Sequence, residues 1–135
     1  MTPKTYAGSC HCGAVAFEAE IDFSAGTYRC NCSICAKTRY WGVTIKPGAF
    51  RLLQGEDALA DYRINTRRMA LLFCRHCGVA SFNRGDVPES GGAFVSVNVA
   101  ALDGVEAGVL AALPVTYLDG LHDDWESPPL ITAHL

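Results

Sequence analysis

Met69-Ala70-Leu71-Leu72-Phe73-Cys74-Arg75-His76-Cys77-Gly78-Val79-Ala80-Ser81-Phe82 is the stretch whose reading decides the fold. Two apolar runs of strand length, Met69 to Cys74 and Val79 to Phe82, flank a short turn that carries two cysteines. Such runs, bounded by a turn, read as the arms of a hairpin. Further segments with strand character are Ala14 to Ala19, Trp41 to Ile45, Phe50 to Leu53, Leu59 to Ile64 and Phe94 to Val99. Pro47-Gly48, Gly55-Glu56-Asp57, Asn65-Thr66 and Pro88 through Gly92 punctuate them. Strands spaced about 10 residues apart, with turns between, predict a mainly β, antiparallel domain. Helix is scarce. Ser33 to Lys37 and Val99 to Leu102 suit single turns, and Ala107 to Leu113 suits either helix or strand. From Leu121, past Asp123-Asp124 and Pro128-Pro129, the chain reads as irregular and is expected to wrap back over the body.

The 135 residues suffice for one domain, 1–135, and not for two comfortable cores. Half of them are hydrophobic and 19% charged, which excludes a disordered chain. A formal net charge of -3 leaves no excess of Lys and Arg to neutralise phosphates, so no nucleic-acid partner is expected. The start, Met1 to Ala7, lacks the apolar core of an export signal. The longest apolar runs, such as Val109 to Val115, are far short of the roughly 20 residues that span a bilayer, so no membrane partner is expected either. A reducing cytoplasmic setting is the expectation, with the cysteines kept as thiols.

Seven cysteines fall in three tight groups: Cys10 and Cys12, then Cys30, Cys32 and Cys35, then Cys74 and Cys77. A disulfide framework fails on the odd count, the compartment, and the strain of bridging cysteines one residue apart. Buried structural thiols account for isolated cysteines but not for C-x-C, C-x-C-x-x-C and C-x-x-C groupings. Metal accounts for them, because neighbouring thiolates on a tight turn can point at one ion. The spacings do not match the common ferredoxin patterns, and zinc suits thiolates in a tetrahedron. Seven ligands divide as four plus three, a closed site and an open one, and two zinc ions are expected per chain. Spacing leaves two partitions standing. Either Cys10 and Cys12 join Cys74 and Cys77, or they join two members of the middle group.

Gly8-Ser9-Cys10-His11-Cys12-Gly13, Cys30-Asn31-Cys32-Ser33-Ile34-Cys35 and Phe73-Cys74-Arg75-His76-Cys77-Gly78, with Gly55 and Tyr62 between, together resemble the glutathione-dependent formaldehyde-activating enzyme family, which also includes centromere protein V. The resemblance covers roughly residues 7–99 and leaves 100–135 as a C-terminal wrap. It implies a β-tent of small antiparallel sheets stapled by zinc. It also implies a structural zinc on Cys10, Cys12, Cys74 and Cys77, and a catalytic zinc on Cys30, Cys32 and Cys35. The implied activity is that of a carbon-sulfur lyase on a thiol-aldehyde adduct, with glutathione and formaldehyde as the first pair to consider. The competing class is a non-catalytic module in which both metals staple a protein-binding fold.

Tyr40 and Trp41 follow the three-cysteine group closely enough to wall a substrate pocket, and suit the core of a strand equally well. Arg39, Arg67, Arg68 and Arg75 could meet substrate carboxylates, though a solvated surface is the plainer reading. His11 and His76 sit inside cysteine turns, where supporting or exposed roles are expected. His122 and His134 belong to the tail, His122 beside Asp123, Asp124 and Trp125. No Ser-His-Asp set or carboxylate pair offers a rival mechanism.

Overall fold

A computed structural model describes residues 3–64 and 68–135. The turn expected at Asn65-Thr66, and Arg67, lie outside the described residues. In chain order the elements are β1 (Lys4–Ser9), β2 (Ala16–Ile21), β3 (Thr27–Cys30), α1 (Ser33–Thr38), β4 (Gly42–Ile45) and β5 (Phe50–Gln54). There follow β6 (Leu59–Ile64), β7 (Met69–Cys74), β8 (Ala80–Val87), β9 (Gly92–Asn98), α2 (Ala107–Ala111) and β10 (Val115–Leu118). The protein is mainly β, as its strand-length runs and turn spacing require.

The strands form two sheets. One has three strands in the order β1-β2-β5, the other seven in the order β10-β3-β4-β9-β8-β7-β6. The second is larger than the small sheets expected, and its edge departs from the antiparallel rule: β10 runs parallel to β3, Val115 opposite Thr27 and Leu118 opposite Cys30. A parallel partner needs a long crossover. Here the chain between β3 and β10 passes through most of the molecule, so no local pattern announces the pairing.

Phe17, Phe50 and Phe82 join the sheets. Phe17 and Phe82 are fully buried, and the Phe50 ring lies 4.5 Å from that of Phe82 and 5.3 Å from that of Phe17. Along β9, Val95 and Val97 point into this core while Ser96, between them, points to the opposite face. On that face Ser96 Oγ meets the Tyr28 hydroxyl, and Tyr40 donates to the Ser96 carbonyl at 2.7 Å. One side of the large sheet therefore makes the core, and the other carries these hydrogen bonds.

Several boundaries shift for local reasons. Ala14 and Val15, expected in a strand, belong to the cysteine turn, where Cys10 N–H donates to the Val15 carbonyl. β8 continues five residues beyond Phe82, because Asn83 to Val87 pair with β9 along their whole length. Ladder partners override weak strand propensity. Gly55 begins the turn before β6 at φ 94°, and a Cβ there would lie 2.2 Å from the Ala14 carbonyl oxygen, so only glycine fits. Ala107 to Ala111 is helix, and Val99 to Ala101 forms a 3-10 turn. From Leu121 the tail is largely irregular. Leu135 is buried, and its carbonyl accepts from Arg39 at 3.4 Å.

Candidate metal centres

The turn between β1 and β2 carries Cys10 and Cys12; the turn between β7 and β8 carries Cys77, with Cys74 at the last position of β7. Their four sulfurs lie within 4.8 Å of one another. Cys10 and Cys12 stand 3.7 Å apart, and Cys12 and Cys74 3.6 Å. Backbone N–H groups point at the sulfurs, Val15 on Cys10 at 3.3 Å and His76 on Cys74 at 3.4 Å. The N–H groups of Val79 and Cys12 bring the Cys77 thiol down to about 6, and that of Cys77 lowers Cys74. Such donors favour thiolate over thiol.

The second group is built by a strand end and a helix start. Cys30 closes β3, Cys32 caps α1 and Cys35 lies in its first turn, and their sulfurs again lie within 4.8 Å. Cys32 N–H donates to Cys30 Sγ, and Cys35 N–H to Cys32 Sγ, both at 3.4 Å. Hydrogen bonds from the thiols of Cys30 and Cys35, with the N–H groups of Cys35 and Ile34, hold Cys32 as a thiolate down to about 2. Cys30 is pushed up first by its hydrogen bond with Cys32, against an opposing one with Cys35, and Cys35 first by its hydrogen bonds with Cys30 and Cys32. Three sulfurs so close share one negative charge and resist a second. A divalent cation removes that resistance, so both donor sets fit a soft-accepting ion such as zinc. The structure thus groups Cys10 and Cys12 with Cys74 and Cys77, one of the two partitions that spacing leaves standing.

Beside the three cysteines opens a groove of about 1040 Å³ over the face of the large sheet that is turned away from the core. Tyr28 and Tyr40 line it near the cysteines, and Asn83, Lys46 and Arg68 also line it. Tyr40 is fully buried with its hydroxyl engaged. Trp41 takes the opposite direction, as successive residues of extended chain do. Its indole N–H donates to Thr27 Oγ1 at 2.7 Å, the Arg29 guanidinium covers its ring at 5.0 Å, and it packs on the core instead of lining the groove.

The tail adds residues to the site that sequence reasoning missed. Asn31, between two of the cysteines, donates to Asp119 at 2.8 Å and accepts from Leu121 N–H at 3.0 Å. This fastens the loop after β10 beside the cysteines. There Gly120 is so close that a Cβ would lie 2.7 Å from Cys30 Sγ. Trp125, 56% exposed, stands at the groove mouth with its N–H on Asp123. His122 is exposed and bonds Asp119 at 2.8 Å. His11, His76 and His134 are exposed. Among the arginines, Arg68 pairs with Glu89, Arg75 donates to the Leu59 carbonyl, and Arg39 is spent on Leu135. Asn31 lies within a cysteine motif, and no local pattern marks Asp119 or Leu121 as its partners.

Two sheets carrying two convergent cysteine cages define a β protein equipped to hold metal ions. The chain belongs to the glutathione-dependent formaldehyde-activating enzyme family, whose model matches residues 5–113. It is also similar to a Rhodobacter sphaeroides protein of known crystal structure, with 34% identity and a TM-score of 0.69 over 82% of this chain and 99% of that one. Among the described residues no helix is long and apolar enough to cross a membrane.

Proposed function

We propose that the protein is a zinc-dependent carbon-sulfur lyase that makes or breaks the adduct of a small thiol and an aldehyde. The observation that carries this reading is the contrast between the cages: four sulfurs close one, while three sulfurs form the other beside a groove. Four thiolates complete a tetrahedron, and three leave a position for substrate. The assignment is a structural ion on Cys10, Cys12, Cys74 and Cys77, and a catalytic one on Cys30, Cys32 and Cys35.

Zinc in the three-cysteine cage would supply an open position that attracts a substrate sulfur as thiolate and releases its proton. The chain's own residues do the rest. The groove holds the thiol and an aldehyde together and so supplies orientation. The thiolate adds to the carbonyl carbon, a carbon-sulfur bond forms, and the carbonyl oxygen takes a proton to give the S-hydroxyalkyl adduct. The reverse breaks that bond and returns the proton. Burial holds the Tyr28 phenol well above its ordinary range, so it stays neutral and serves as a hydrogen-bond donor to the oxygen that gains charge. Glutathione and formaldehyde are the pair the family description supports. Seven free thiols suit a reducing compartment, which favours the cytoplasm.

The test is exchange of the thiol-aldehyde adduct followed by NMR, with wild type, Cys32→Ser and metal-free protein in parallel. Zinc-loaded wild type should speed exchange over both controls. Equal rates across a panel of thiols and aldehydes overturn the lyase reading and leave the non-catalytic binding module.

A further inference from the structure

The groove stands at the upper end of the size range for small-molecule sites, far larger than a one-carbon aldehyde needs. Its end remote from the cysteines has a chemistry of its own. Val95 points into the core, so Phe94 beside it points to the groove. Phe94 lies opposite Gly85 of β8, and Gly85 lies opposite Met69 of β7. A Cβ on Gly85 would strike the Phe94 ring and lie 3.2 Å from Met69 Cγ, so the two apolar side chains close over the glycine. Met69, Val87 and Phe94 all line the groove, are half-buried and stand outside the core cluster. Apolar side chains gathered on a concave surface, and not used in the core, mark a place for apolar ligand surface.

A cation stands at the edge of this floor. Lys46 follows Ile45, whose partner is Val95, and so comes beside Phe94. Its Nζ reaches toward Gly91 at the rim, 3.6 Å from where a Cβ of that glycine would stand. Lys46 is exposed and forms no ion pair among the described residues, whereas Arg68, the other cation of the lining, is paired with Glu89. Among the described residues Asp123 is the one carboxylate that lines the groove, and it bonds Trp125 at the cysteine end. An apolar floor with an ammonium at its far edge is complementary to an apolar chain that ends in an anion. The register gives the length. Gly42 lies opposite Tyr28, and the extended chain from Gly42 to Lys46 covers about 13 Å. Three chain bonds extend about 3.6 Å, so this span takes about eight to ten carbons.

We propose that the far end of the groove is a subsite for an unbranched apolar chain that ends in a carboxylate, with Met69, Val87 and Phe94 holding the chain and Lys46 the carboxylate. Under the lyase reading, on which the role of the subsite rests, one partner of the thiol-aldehyde adduct carries this chain, and its reacting end lies near Tyr28 and the cysteines. Formaldehyde cannot fill the subsite.

Calorimetry with butanoate, hexanoate, octanoate and 1-octanol on zinc-loaded wild type, Lys46→Ala and Met69→Thr measures the binding, beside a thermal melt of each protein. Affinity should rise about threefold for each methylene from butanoate to octanoate. Lys46→Ala should bind octanoate about fivefold more weakly and 1-octanol within about twofold of wild type. Met69→Thr should weaken octanoate and 1-octanol alike, by about fivefold. Both side chains stand outside the core, so both variants should melt close to wild type. Affinity that does not rise with chain length, or an equal loss of acid and alcohol in Lys46→Ala, overturns the proposal. Adduct exchange then identifies the carrier of the chain, comparing glutathione with 8-oxooctanoate against 8-mercaptooctanoate with formaldehyde. The pair whose KM rises in Lys46→Ala contains it, and an unchanged KM for both pairs overturns the assignment to the substrate. If octanoate binds as stated while no pair exchanges faster than without protein, the lyase reading falls and the subsite stands. Catalysed exchange with octanoate unbound gives the reverse.

Discussion

Cys12 Sγ lies 3.6 Å from Cys74 Sγ, although 62 residues separate them in the chain. The first belongs to a turn of the three-stranded sheet and the second to the large sheet, so an ion held between them ties the two sheets together. Cys30, Cys32 and Cys35, by contrast, span six residues at one strand end. The two cages should therefore differ in what they support.

Cys74→Ser should unfold the domain or leave it insoluble, because a structural zinc supplies on the order of 10 kcal/mol of apparent binding energy. Cys32→Ser should lose one ion and keep most of its melting temperature. Metal analysis beside a circular dichroism melt reads both. A Cys74→Ser protein that is well folded with two ions would contradict the structural assignment, and a collapsed Cys32→Ser would contradict the division of labour.

Gly120→Ala tests the contact between the tail and the open cage. The new Cβ would meet Cys30 Sγ at 2.7 Å and the Cys32 Cβ at 3.0 Å, so the loop or the sulfurs must move. The expected result is an affinity for the second ion about tenfold lower, with the first ion unaffected, as measured by competition with a chelator. Unchanged affinity at both sites would show that the loop yields freely.

Seven of the ten strands, β2 and β4 through β9, were legible because each is a run of apolar or aromatic residues closed by a turn. The other three were not, for distinct reasons. β1 is polar and small, β3 is four residues ending in a cysteine motif, and β10 follows directly on an apolar stretch with Pro114. The cysteine groups were legible from spacing, and their convergence into four and three was not, since that depends on how two hairpins dock. Tyr40 and Trp41 adjoin in sequence yet face different surroundings, and no periodicity in a stretch so short tells which one meets the groove.

Tyr28→Phe separates binding from chemistry. The phenol lines the groove and stays protonated, and its removal leaves the seven sulfurs untouched. Exchange of the adduct should slow by about a hundredfold at saturating thiol, with zinc content and thiol affinity close to wild type. Loss of thiol affinity with an unchanged maximal rate would assign Tyr28 to binding instead.

Asp119 provides a pH dependence with a definite sign. Its carboxylate accepts from Asn31 at 2.8 Å and lies 2.8 Å from His122, and these contacts hold it below the ordinary aspartate range, the Asn31 hydrogen bond first. A folded-state pKa below the unfolded value of about 3.9 means that the folded chain binds fewer protons through the window between them. The stabilisation from Asp119 is therefore complete above that unfolded value, and it is lost as the pH falls through the depressed folded one. Because Asn31 joins Cys30 to Cys32, its side-chain amide is a local reporter of the event. Its NMR resonances should titrate with a midpoint below 3.9, and Asp119→Asn should abolish that titration while keeping an oxygen for Asn31 to meet. The melting temperature of Asp119→Asn should fall below that of wild type at neutral pH, and the gap should close in acid. A gap that stays constant from neutral pH to well below the aspartate range would mean that the Asp119 charge has no part in holding the tail at the cysteines.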